Sequence, residues 1–101
     1  MANRILLVFA LSVCGPASAG DSDIWIPPPA RYDHKASVPL NISRDISPCP
    51  KPFGINVVAC TGLHQGVGYI MIAPHLSGEN YRLALRHEIA HINGWPADHP
   101  R

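Results

Sequence analysis

An excess of charge of either sign is the first thing missing from this sequence. Eight lysines and arginines stand against seven aspartates and glutamates, for a formal net charge of +1. So balanced a chain has no long-range field to draw it to nucleic acid or to an anionic lipid surface. A membrane-spanning run is missing too. The apolar stretch 5–13 has about nine residues, where a bilayer-spanning helix needs roughly 20. Cysteine is scarce, with three in the chain, and no two have the C-x2-C spacing of a thiolate zinc site. There is no internal repeat, and 101 residues leave room for one domain at most.

What is present begins with an address label. Arg4 supplies a positive start, residues 5–13 an apolar core, and Ala17-Ser18-Ala19 a small-residue cleavage site. The expectation is a secretory signal peptide over residues 1–19, cut after Ala19, and a periplasmic or secreted product. Lipidation at Cys14, within Leu11-Ser12-Val13-Cys14, ranks second because valine is a poor residue just before a lipobox cysteine. Cleavage would remove Arg4 and Cys14, leaving seven basic and seven acidic side chains and no stable membrane association. It would also leave Cys49 and Cys60, an even pair in an oxidising compartment. A small core benefits from a covalent staple, worth on the order of 2–3 kcal/mol in the chain-entropy picture. A disulfide is the expectation.

Proline dominates residues 21–52: Pro27-Pro28-Pro29, Pro39, Pro48, Pro50 and Pro52. Each fixes its own φ, lacks a donor and pushes its predecessor toward extended backbone. This half reads as extended, with an edge strand at 37–46 where Val38, Leu40 and Ile42 alternate with polar neighbours. The proline triplet reads as an extended lead-in rather than a docking motif. Two stronger strands follow, at 55–61 and 68–73, with a glycine-containing hairpin loop over 62–68 between them.

A helix over 78–93 closes the chain, with Ser77 as N-cap, Glu79 in the first turn, and Gly94 then Pro96 as the stop. At about 100° per residue, Tyr81, Leu83, Ala84, Leu85, His87, Glu88, Ala90, His91 and Ile92 fall on one broad arc. Arg82, Arg86 and Asn93 lie opposite, and Ile89 is at the border. Two histidines and a glutamate thus sit inside the apolar face, where burying them is costly unless they bind something.

Those residues spell His87-Glu88-Ile89-Ala90-His91, the H-E-x-x-H pattern. Four residues is just over one turn, so both imidazoles project the same way and suit one ion. Glu88 lies beside them, placed to take a proton from an attacking water rather than to ligate. Zinc lowers the pKa of coordinated water to roughly 7 and polarises a carbonyl, which makes an amide attackable near neutral pH.

The segment 87–99, HEIAHINGWPADH, resembles the active-site helix and turn of zincin metallopeptidases, and the likeness covers about 25 residues. The resemblance implies Zn2+ at His87 and His91, Glu88 as general base, and a peptide or protein substrate lying along the strand 68–73. Gly94 matches the zincins that continue with x-x-G. The position three beyond it is Ala97, and His99 stands two further on as the first candidate for third ligand. Asp98 and His75 remain alternatives, while His34 and His64 fall on loops. Trp95 is expected to pack against the helix end. Tyr32, Tyr69, Tyr81 and Arg31 are conceivable oxyanion stabilisers with no spacing to support them.

The expected organisation is then a signal peptide at 1–19, a proline-rich extended segment at 20–52, and a minimal zincin-like metal-binding domain at 53–101. The fold class is α+β: a small antiparallel sheet of two or three strands packed on one C-terminal helix. The expected function is exported zinc-dependent peptide hydrolysis, with a non-catalytic zinc-stabilised domain as the alternative. The expectation for so short a chain is either a very open site or a cleft wall supplied by a partner or a second copy.

Overall fold

A computed structural model describes residues 23–51 and 56–101. The signal-peptide segment and Ile55 lie outside the described residues. Among the described residues, three strands, β1 (Leu40–Ser43), β2 (Ala59–His64) and β3 (Val67–Ile72), precede one helix, α1 (Gly78–Ile92), and a 3-10 turn spans Asp23–Trp25. The class is α+β, as the periodicity predicts.

The hairpin is tighter than expected. β2 and β3 pair antiparallel from Ala59↔Ile72 to His64↔Val67, so Gly62 and His64 lie within a strand rather than in a loop. The turn is Gln65-Gly66, with φ of 52° and 78°. Two consecutive positive φ values give the turn whose twist matches the strands. Glycine suits its position there; glutamine is an unusual occupant of the other, and this hid the turn in the sequence.

β3 is the central strand, in the order β1-β3-β2. The sheet is therefore mixed rather than antiparallel, because β1 runs parallel to β3 from Leu40↔Gly68 to Ser43↔Met71. β2 lies at the far edge from β1, and Cys49 and Val57, which precede it, pack with Cys60 and Met71. The hairpin then brings β3 back between the two. Parallel partners need such a long crossover, and the proline-containing stretch after Ser43 provides it.

The period-two alternation of the strands divides the core. Ala59, Ile70 and Ile72 face α1 with Ile24, Leu76, Ala84 and Ile92. Cys60 and Met71 face the other way, against Cys49 and Val57. The expected bridge between Cys49 and Cys60 is formed, with Cα atoms 5.8 Å apart, and it fixes the crossover to β2. Helix and sheet meet closely at Gly68, where a Cβ would stand 2.8 Å from Ile92 Cδ1 and 2.9 Å from Leu40 Cδ2.

The helix follows its sequence. Ala84, His87, Glu88, Ala90, His91 and Ile92 are buried, and Arg82 and Arg86 face solvent. Ser77 occupies the N-cap in extended backbone, but its side chain makes no capping bond. The turn into the helix is held instead by Arg44, whose guanidinium donates to the carbonyls of Ala73, Pro74 and Leu76 and lies 4.6 Å over the Tyr81 ring. Pro28 is buried and Pro29 O accepts from Tyr32 N at 2.9 Å, so the triplet packs as a lead-in. No described helix is long and apolar enough to cross a membrane.

Candidate metal centre

The C-terminal end of α1 builds the site. Trp95 N donates to Ala90 O at 3.0 Å and Gly94 N to His91 O at 3.0 Å, while Gly94 has φ of +111°. This paired reversal is the Schellman ending, which needs a residue of positive φ at the position Gly94 holds. It turns the chain back across the helix end, and Trp95, 1% exposed, lands on the histidines. Its ring stacks on His91 at 5.0 Å and meets His87 edge-on at 5.2 Å. Trp95 is thus the packed plug the sequence suggests.

The same reversal orients a ligand. His91 Nδ1 stands 2.7 Å from Trp95 O. A carbonyl only accepts, so Nδ1 carries the proton, and in the neutral ring Nε2 presents its lone pair. A backbone carbonyl behind a ligating imidazole is a common outer-shell arrangement.

The chain next makes a turn closed by His99 N to Pro96 O at 2.9 Å, and Trp95 Nε1 donates to Pro100 O at 2.8 Å. His99 has φ of 58°, a conformation that non-glycine residues adopt at a cost and that clusters at functional sites. That conformation delivers its ring to the other two. His87 and His91 Nε2 are 3.2 Å apart, His91 and His99 Nε2 3.1 Å, and His99 and His87 Nε2 3.1 Å. Among the described residues these three histidines form the cluster placed to hold a metal ion.

Geometry and chemistry of the donors both test the fit. Nitrogens about 2.0–2.1 Å from a tetrahedral zinc stand about 3.3–3.4 Å from one another, close to the spacing found. Imidazole nitrogens suit zinc and its neighbours in the first transition row, not calcium or magnesium, which take oxygen. The residues fit such an ion. Glu88, on the same turn, is 0% exposed. Enclosing a carboxylate is costly without compensation, and a cation held next door would contribute to it.

The structure decides among the sequence candidates. His99 joins the cluster, while Asp98 and His75 are exposed and outside it. His34 is exposed and its ring bonds to the carbonyls of Lys35 and Arg31. A cavity beside the triad is lined by Ile26, His87, Trp95, His99 and Arg101. None of the four suggested oxyanion stabilisers reaches it: Tyr69 packs toward the disulfide, Tyr81 lies under Arg44, and Arg31 covers Tyr32 at 5.0 Å. The substrate strand needs correction as well. β3 has β1 on one side and β2 on the other, so its backbone offers no edge to an extended peptide.

Three contributors escaped the sequence reading. The Trp95 carbonyl was traceable from the helix-ending glycine. Ile26 carried no local signal, since only the tertiary fold brings the segment after the 3-10 turn to the helix end. Arg101 likewise has no motif around it. The chain matches no family model, and neither a curated protein nor a solved structure matches it.

Proposed function

We propose that this protein is an exported zinc-dependent hydrolase of the zincin type, cleaving peptide bonds, with His87, His91 and His99 holding the ion and Glu88 as general base. The triangle of three Nε2 atoms carries the reading. Three neutral nitrogen donors leave a four-coordinate ion one position for substrate chemistry, the arrangement that separates catalytic zinc from closed structural zinc. When bound, the ion supplies Lewis acidity, polarising a carbonyl and easing deprotonation of water near neutral pH. Glu88 takes the proton of the attacking water and passes it to the leaving amine nitrogen as the carbon–nitrogen bond breaks. Trp95 holds His91 through its carbonyl and excludes water from the buried side of the triad. The disulfide Cys49–Cys60 supports an oxidising compartment.

A second reading, a zinc-stabilised domain without activity, draws on the burial of His87 and His91, 1% and 0% exposed. Glu88→Gln separates the two. Under the hydrolase reading the variant keeps one zinc per chain by elemental analysis, and turnover of a broad peptide library falls by on the order of 100-fold or more. Equal turnover in the two proteins, or none in either, sinks that reading.

A further inference from the structure

The cavity beside the triad is walled in part by the N-terminal half of the chain. Two of the three clustered rings, His87 and His99, border it, so a ligand seated there lies against the proposed ion. Trp95, Ile26 and the exposed Arg101 complete the lining.

Ile26 belongs to neither the motif helix nor the turn behind it. It precedes Pro27, which biases it to extended backbone, and the residues two positions to either side, Ile24 and Pro28, are buried. Ile24 packs in the core cluster that includes Ala84 and Ile92 of the helix, and just beyond Pro28 the Pro29 carbonyl accepts from Tyr32 N at 2.9 Å. Ile26 itself is 51% exposed, yet the chain on both sides of it is fixed. A surface side chain anchored in this way beside the histidines is a wall rather than a flap.

Size sets what the wall admits. The volume is about 80 Å³. One water needs roughly 10–15 Å³, and an apolar cavity of roughly 150 Å³ admits a benzene ring. A valine or leucine side chain falls between these limits.

We infer that Ile26 sets the specificity of this site: with Trp95 it forms a subsite for one aliphatic side chain, that of a residue at the bond to be cleaved. The place of that bond rests on the hydrolase reading; the binding of the side chain rests on the cavity alone. Aliphatic carbons between Ile26 and the Trp95 indole leave water for an apolar contact. An alanine leaves that space unfilled, and a phenylalanine overfills it. The residue that selects the substrate thus lies outside the 53–101 unit that carries the metal motif.

The test is an NMR titration of the purified protein, with and without zinc, using N-acetyl-alaninamide, N-acetyl-leucinamide and N-acetyl-phenylalaninamide. These probes are uncharged at both ends, so only the side chain differs. The observed signal is the Trp95 indole N–H. The leucine probe should shift it saturably and bind about tenfold more tightly than either of the others, the low end of what a misfitted methylene costs in an apolar pocket. In Ile26→Ala the enlarged cavity should reverse the order of leucine and phenylalanine, with zinc content unchanged. No shift of the indole signal, or the same order of probes in both proteins, overturns the assignment. Matched peptides that differ only at the residue beside the cleaved bond should follow the probe order in kcat/KM. Glu88-dependent hydrolysis indifferent to that side chain would defeat this inference alone. An Ile26-dependent probe order in a protein with no Glu88-dependent hydrolysis would defeat the hydrolase reading alone.

Discussion

A ligand site depends first on single atoms, and here a backbone carbonyl does as much as a side chain. Trp95 O holds His91 Nδ1 at 2.7 Å, leaving Nε2 to face the other two rings. The third ring depends on His99 adopting φ of 58°. Removing that ring in His99→Ala should weaken zinc binding by on the order of 100-fold, equivalent to about 2.7 kcal/mol, in a competition titration against a chelator. His75→Ala and Asp98→Ala should leave the affinity unchanged, since both residues are exposed outside the cluster. If either weakened zinc as much as His99→Ala, the ligand set would be wrong. Gly94→Ala isolates the chain reversal. Its Cβ would meet only Tyr32 Cε1, at 3.7 Å, so the cost comes from φ of +111° and not from a clash. A loss of about 1–2 kcal/mol in denaturant unfolding is expected, together with weaker zinc binding as the Trp95 carbonyl moves.

At the scale of elements, α1 is legible because a 15-residue helix samples its own period several times. The buried set matches the arc drawn from the sequence, and Arg82 and Arg86 lie outside. The loop before β1 is tied to this helix from a distance. Asn93 Oδ1 accepts from Ser37 N at 2.9 Å, and Nδ2 donates to the carbonyls of Tyr32 and His34, both at 3.0 Å. Arg86 donates to Asp33 through Nε at 2.9 Å and through Nη2, and this hydrogen bonding holds the Asp33 carboxyl below its usual range. Helix and sheet meet where Gly68 lets Ile92 and Leu40 close in. Gly68→Ala must push both side chains aside, at about 1–3 kcal/mol. Thermal unfolding should register that loss while zinc affinity changes less, because neither Ile92 nor Leu40 is one of the three clustered histidines. Unchanged stability would mean that the approach is looser than described.

For the molecule as a whole, the covalent staple ties the crossover to an edge strand of the sheet. Cys49 and Cys60 lie in a cluster with Val57 and Met71 on the face opposite the helix. Cys49→Ala combined with Cys60→Ala should lower stability by about 2–3 kcal/mol in urea unfolding. The metal cluster stands on the other side of the sheet, so bound zinc should offset part of that loss by mass action. A double variant as stable as the parent would leave the bridge without a structural role.

The sequence by itself determined the helix, its polar and apolar faces, the pairing of the two cysteines, and the placement of two imidazoles one turn apart. These are local matters, decided by periodicity over neighbouring residues, or a choice of partner that the expected loss of Cys14 narrows to one. Tertiary structure decided the rest. Which strand lies in the centre, and hence that β3 offers no peptide edge, follows from a crossover whose direction no short window records. That His99 rather than His75 or Asp98 completes the triangle depends on a Schellman reversal, a turn at Pro96 and a positive φ acting in series. Ile26 reaches the site because its neighbour Ile24 is buried in the core against the helix. Contacts between residues distant in sequence are set by packing and excluded volume, and neither is written in the spacing of a motif.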